Sequence, residues 1–170
     1  LDSVTWAGND RVLLILWSTT SVYGTSIPIR RLIGVDVRSG AATVLDPKSR
    51  GIWGGDIIHV DPAGAWALVA SQNAIGVTPS VKRVDLATGS ATLVERSRPD
   101  LWNWYADEAG VVRGGVAYSG NRWTIWYRDT PGGPLRPIRG KSNPAGETGA
   151  IDGLRFVTGD NAGLVVTNSR

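Results

Sequence analysis

The sequence predicts an all-β chain, and three observations carry that prediction. With 22 glycines and 9 prolines among 170 residues, more than one residue in six resists a helix interior. The stretches between them are short and rich in β-branched and aromatic side chains, as in Trp66–Ala70, Val81–Leu86 and Trp123–Tyr127. Finally, turns built on aspartate and glycine recur at a regular spacing.

Those turns are of two kinds. Asp-x-x-Gly occurs at Asp61–Gly64, Asp107–Gly110 and Asp160–Gly163; Asp-x-x-x-Gly occurs at Asp36–Gly40, Asp85–Gly89 and Asp129–Gly133. The two kinds alternate strictly, and like turns recur after 49 and 44 residues in one series and 46 and 53 in the other. Aspartate opening a turn can accept backbone N–H groups two residues on, and glycine takes the positive φ that closes it. The segments Val35–Leu45 and Val84–Val94 are nearly superimposable, with Val, Asp, Gly, Ala and Thr at the same places in both. Two alternating hairpins per repeat mean four antiparallel strands, and a four-stranded unit of ~40–50 residues is the signature of a β-propeller blade.

The expected order follows from the turns. A first blade spans Val4–Asp46, a second Asp56–Glu95 and a third Leu101–Arg139; a half-blade occupies 151–170, with one hairpin closed through Gly163. Gly140–Gly149 reads as a Gly/Ser/Pro/Asn loop between blades, and nothing marks a second domain, so residues 1–170 are expected to form one partial propeller. A β-sandwich also has many short strands, but it requires no alternation of two turn types. About three and a half blades do not close a ring that needs ~4–8. The expectation is therefore a piece of a larger ring. Two copies would make seven blades, and the open half-blade leaves a strand edge, so self-association is expected.

Composition excludes several functions. There is no cysteine and one histidine, which removes disulfide frameworks, thiolate sites and multi-histidine metal centres; no metal or other cofactor is expected. The net charge is +3, and of 18 basic residues 15 are arginines scattered among aspartates, with only Arg30-Arg31 adjacent. No basic tract of the nucleic-acid kind exists. The longest apolar run is Val12–Trp17, far short of the ~18 residues of a membrane helix. No basic-then-apolar leader opens the chain.

Catalytic motifs are missing as well. No G-x-S-x-G elbow is present; Gly24-Thr25-Ser26-Ile27-Pro28 comes nearest and lacks the second glycine. His59, in Ile57-Ile58-His59-Val60-Asp61, reads as a packed or surface-strand histidine. Gly140-Lys141-Ser142 suggests a phosphate loop, but the required earlier glycine is Leu135. No catalytic residue is assigned. For binding, the eight tryptophans are the unusual feature, and wedge-filling between blades accounts for most of them. Trp102 and Trp104 are the candidates for an aromatic shelf, and Arg113 for substrate contact, although pairing with a carboxylate is the plainer reading of Arg113.

Trp104-Tyr105-Ala106-Asp107-Glu108-Ala109-Gly110-Val111-Val112-Arg113-Gly114-Gly115 resembles the W-x-x-D-x-x-G-x-x-R-x-G stretch of the N-terminal propeller in bacterial prolyl oligopeptidase-family enzymes, including the acylaminoacyl-peptidase and dipeptidyl-peptidase branches. Val35–Leu45, Val84–Val94 and the opening Val4–Leu13 are similar to hairpins of that propeller. The resemblance implies a non-catalytic part that gates and positions peptide substrates for an α/β-hydrolase domain outside this sequence. In that family the nucleophile, acid and base belong to the hydrolase domain, so none is carried over. A TolB- or WD-type protein-interaction propeller and a carbohydrate-binding propeller are the alternatives.

Overall fold

The structure, a computed structural model, describes residues 1–52, 55–120, 122–139, 150–156 and 163–168. No helix occurs among them, and the strands assemble into three four-stranded antiparallel sheets and one two-stranded pair. Two compact units divide the chain, Leu1–Ser97 and Arg98–Arg170. The Gly140–Gly149 loop and the turn residues Asp160–Ala162 lie outside the described residues.

The first unit holds two sheets. One is the meander β1 (Ser3–Ala7), β2 (Arg11–Val22), β3 (Thr25–Asp36) and β4 (Ala42–Leu45); the other is β5 (Asp56–Val60), β6 (Trp66–Ser71), β7 (Ser80–Asp85) and β8 (Ala91–Glu95). The Asp36 and Asp85 turns repeat each other bond for bond. Asp36 Oδ1 accepts from the N–H groups of Arg38 (3.0 Å) and Ser39 (2.8 Å) and from the Ser39 hydroxyl (2.9 Å). Asp85 Oδ1 accepts from Ala87 N–H (3.0 Å), Thr88 N–H (2.8 Å) and the Thr88 hydroxyl (2.9 Å). Gly40 and Gly89 then close the turns at φ 71° and 75°. The Ser39 and Thr88 hydrogen bonds, backbone first, hold both carboxyls below their ordinary value.

One core joins the two sheets. Ala7, Leu13, Ile15, Leu32 and Leu45 of the first meet Ala67, Val69, Val84 and Leu86, the last just beyond β7, with Ile57 and Val60 packed alongside. The period-2 alternation of strands puts Leu13 and Ile15, Ala67 and Val69, or Val84 and Leu86 on one face. Like turns also abut. A Cβ on Gly8, between β1 and β2, would stand 2.9 Å from the Ala63 carbonyl oxygen, and a Cβ on Gly64, between β5 and β6, 2.7 Å from that of Ala7. Arg30 on β3 clasps Asp2 and Asp56 at 2.6 Å each.

The β2–β3 hairpin runs twelve residues on each side, well past β4, which pairs only with Leu32–Val35. Its turn is Tyr23-Gly24 with φ 50° and 80°, the two positive values of a type I′ turn. Pro28 sits in the overhanging part, where β3 has no second neighbour to which an N–H would be owed.

The second unit holds β9 (Leu101–Ala106), β10 (Val112–Ser119), β11 (Arg122–Tyr127) and β12 (Arg136–Arg139), followed by the pair β13 (Ala150–Phe156) and β14 (Gly163–Asn168). Val116 and Ile125 form its core with Tyr105, Tyr118, Trp123 and Leu154. The turn after β11 departs from the expected Asp129–Gly133 closure. Gly133 N–H donates to the Thr130 carbonyl (3.0 Å), and the left-handed residue is Gly132 at φ 72°. Pro131 explains the shift: its fixed φ sets the second position of a turn starting at Thr130, with glycine third.

Candidate functional site

Trp102, Trp104 and Arg113 all belong to the sheet β9–β12, but their environments differ. The ladder between β9 and β10 slips: Val116 faces Asn103 while Ala117 faces Leu101, so Trp102 has no opposite number. A bulge of this kind inverts side-chain parity beyond it. Leu101 and Trp104 consequently share the buried state, with Trp104 only 2% exposed, whereas Trp102 is 37% exposed. Gly115 permits the close approach, since a Cβ there would stand 2.6 Å from the Asn103 carbonyl oxygen.

Arg113 is buried and engaged on three sides. Its Nη1 lies 3.3 Å from Asp107 Oδ2, Nε donates to the Arg128 carbonyl (3.2 Å), and Nη2 donates to the Asp129 carbonyl (3.0 Å). Asp107 meanwhile accepts from the N–H groups of Ala109 (3.0 Å) and Val111 (2.9 Å). The planar guanidinium thus ties the β9–β10 turn to the end of β11, the carboxylate pairing its sequence position suggested. Next to this knot, burial and then the neighbouring Tyr118 push the Tyr105 hydroxyl above its ordinary value.

The tryptophans show a pattern that sequence spacing did not reveal. Arg83 lies 4.4 Å from the Trp66 ring centre, Arg98 5.0 Å from Trp126 and Arg30 5.9 Å from Trp17. His59 also meets Trp66, with ring centres 5.2 Å apart, so it sits packed on a strand face. Trp6, by contrast, is 62% exposed.

Sequence reasoning missed a second cluster, in the first unit. Asp46 follows β4 with φ 49°, a left-handed backbone uncommon outside glycine. Its N–H donates to the Gly89 carbonyl (3.0 Å), and its Oδ2 accepts from the Ser71 hydroxyl (2.7 Å) and from Lys82 Nζ (2.6 Å). Both charges are buried, with side-chain exposures of 5% for Asp46 and 9% for Lys82. They line a groove of about 500 Å³, together with Pro47, Lys48, Asn73 and Leu93 among others. One signal was available: Lys82 occupies the same strand parity as the core residues Val84 and Leu86, an inward position that a lysine takes only with a partner.

Comparison of the chain with protein-family models, with curated proteins and with solved structures finds no match in any of the three.

Proposed function

We propose that the chain is a non-catalytic portion of a β-propeller that gates and positions peptide substrates for the α/β-hydrolase domain of a prolyl oligopeptidase-like serine peptidase. The observation that carries the propeller part is the contact between like turns, the β1–β2 turn at Gly8 against the β5–β6 turn at Gly64. Blades related by rotation about one axis bring equivalent ends side by side. In support, the three four-stranded meanders have the same simple strand order. The peptidase part rests on the resemblance of Trp104–Gly115 and of the Asp36 and Asp85 hairpins. In this reading Arg113 and Trp104 build the blade, and Trp102 is the residue of the three with surface left for a ligand. Self-association through the open β13–β14 half-blade belongs to the same reading, and a clean monomer by light scattering would count against it.

The test uses a fluorophosphonate probe and peptide p-nitroanilides. The protein that carries this chain together with a hydrolase domain is expected to take the label and cleave the peptides, and the isolated chain to do neither. Cleavage by the isolated chain overturns the non-catalytic assignment. A full gene product that takes no label overturns the peptidase assignment and leaves an interaction or carbohydrate-binding propeller to be tried.

A further inference from the structure

The groove beside Asp46 has uncommitted hydrogen-bond donors that carry positive charge. Lys82 Nζ carries three N–H bonds and, among the described residues, donates to Asp46 alone. Lys48 is exposed on the rim and makes no ion pair among the described residues, and the Asn73 amide is exposed close by. Asp46 Oδ2 is already taken by the Ser71 hydroxyl and Lys82. Among the charged side chains lining the cleft, two lysines stand against one aspartate, and the remaining walls include Pro47 and Leu93. A buried ammonium with free donors meets a carboxylate on far better terms than an exposed one does.

We propose that this groove binds a monoanionic carboxylate carried on a short, partly apolar chain, as at the free C-terminus of a small peptide, with Lys82 and Lys48 as its cationic contacts. Two lysines facing Asp46, with the Asp85 carboxylate behind Thr88, suit one negative charge rather than the two of a phosphate monoester. The volume of about 500 Å³ falls in the range of small-ligand sites, ~300–1,000 Å³. The proposal does not depend on the peptidase reading, since it uses residues of the first unit alone.

The experiment is a titration of the isotope-labelled chain, followed by amide chemical shifts, with N-acetylleucine and with its neutral amide. Shifts are expected at Lys48, Asn73, Lys82 and Gly89 with the acid, and binding at least about tenfold weaker with the amide. Lys82→Met is expected to weaken the acid about tenfold or more. Lys48→Glu, a surface change that leaves the Asp46–Lys82 pair intact, reverses the local charge and is expected to abolish the response. Equal binding of acid and amide, inorganic phosphate binding as tightly as the acid, an unchanged affinity in Lys48→Glu, or no shift at the groove would each overturn the proposal.

Discussion

Replacing Lys82 by methionine tests the energetics of the first unit most sharply. At 2.6 Å the Asp46–Lys82 attraction is about 6 kcal/mol for an effective dielectric of ~20, and desolvation of the two ions opposes it by several kcal/mol each. The intact pair therefore contributes little net stability, but removing one partner strands the other in a site only 5% exposed. Lys82→Met should cost about 3–5 kcal/mol, because Asp46 keeps only the Ser71 hydroxyl on that oxygen. Asp46→Asn should cost a similar amount; asparagine tolerates the left-handed backbone, so the loss reports on charge. Removing both charges together should cost far less than the sum, with a coupling of at least about 2 kcal/mol. Urea unfolding followed by tryptophan fluorescence reads this out. With a slope of about 2 kcal/mol per molar, each single variant should lower the midpoint by about 1.5–2.5 M. Additive losses, or a Lys82→Met loss below about 1 kcal/mol, would mean that the pair behaves as an exposed one, and the buried-pair argument would fail.

Other outcomes follow from the turns and the third sheet. Gly89→Ala places a Cβ 2.3 Å from the Val44 carbonyl oxygen at φ 75°, whereas the equivalent Gly40→Ala at φ 71° meets nothing within 4 Å. By urea midpoint, Gly40→Ala should cost about 1 kcal/mol and Gly89→Ala at least about twice that. Asp36 and Asp85 have depressed carboxyl values, so their contribution to stability is present above the ordinary aspartate range and is lost as pH falls through the folded-state values. The Asp36→Asn/Asp85→Asn double variant should therefore flatten the acid limb of a stability-against-pH curve as pH falls below the ordinary aspartate range, and an unchanged limb would refute the assignment. Arg113→Met strands the buried Asp107 and should cost about 3–5 kcal/mol. Arg113→Lys should restore little, since the three donors of one ammonium nitrogen do not reach acceptors that Nε, Nη1 and Nη2 meet separately; full recovery in thermal melts would argue for a simple charge contact.

What the sequence disclosed was local. The Asp36 and Asp85 turns close within four residues through their own side chains, so motif and geometry coincide. The strands between turns likewise follow from alternation and β-branching, as Trp66–Ser71 and Ser80–Asp85 illustrate. Other features depend on partners distant in sequence or on a local rule that overrides another. Lys82 meets a carboxylate 36 residues away, and no spacing motif marks that pair. The Asp129 turn yields to Pro131, whose fixed φ outranks an aspartate acceptor. Trp102 and Trp104 occupy the same nominal parity, and a one-residue bulge separates the exposed ring from the buried one. The length of the β2–β3 hairpin is set by Tyr23-Gly24, a turn without the aspartate that marks the repeat.

We propose rotational order for the two sheets of the first unit, β1–β4 and β5–β8, about a shared axis. A crystal structure of the purified chain measures it directly. The first strands β1 and β5 of the first unit are expected side by side at the inner edges of their sheets, with β4 and β8 at the periphery. First strands that share no axis, with β1 standing apart from β5, would contradict it.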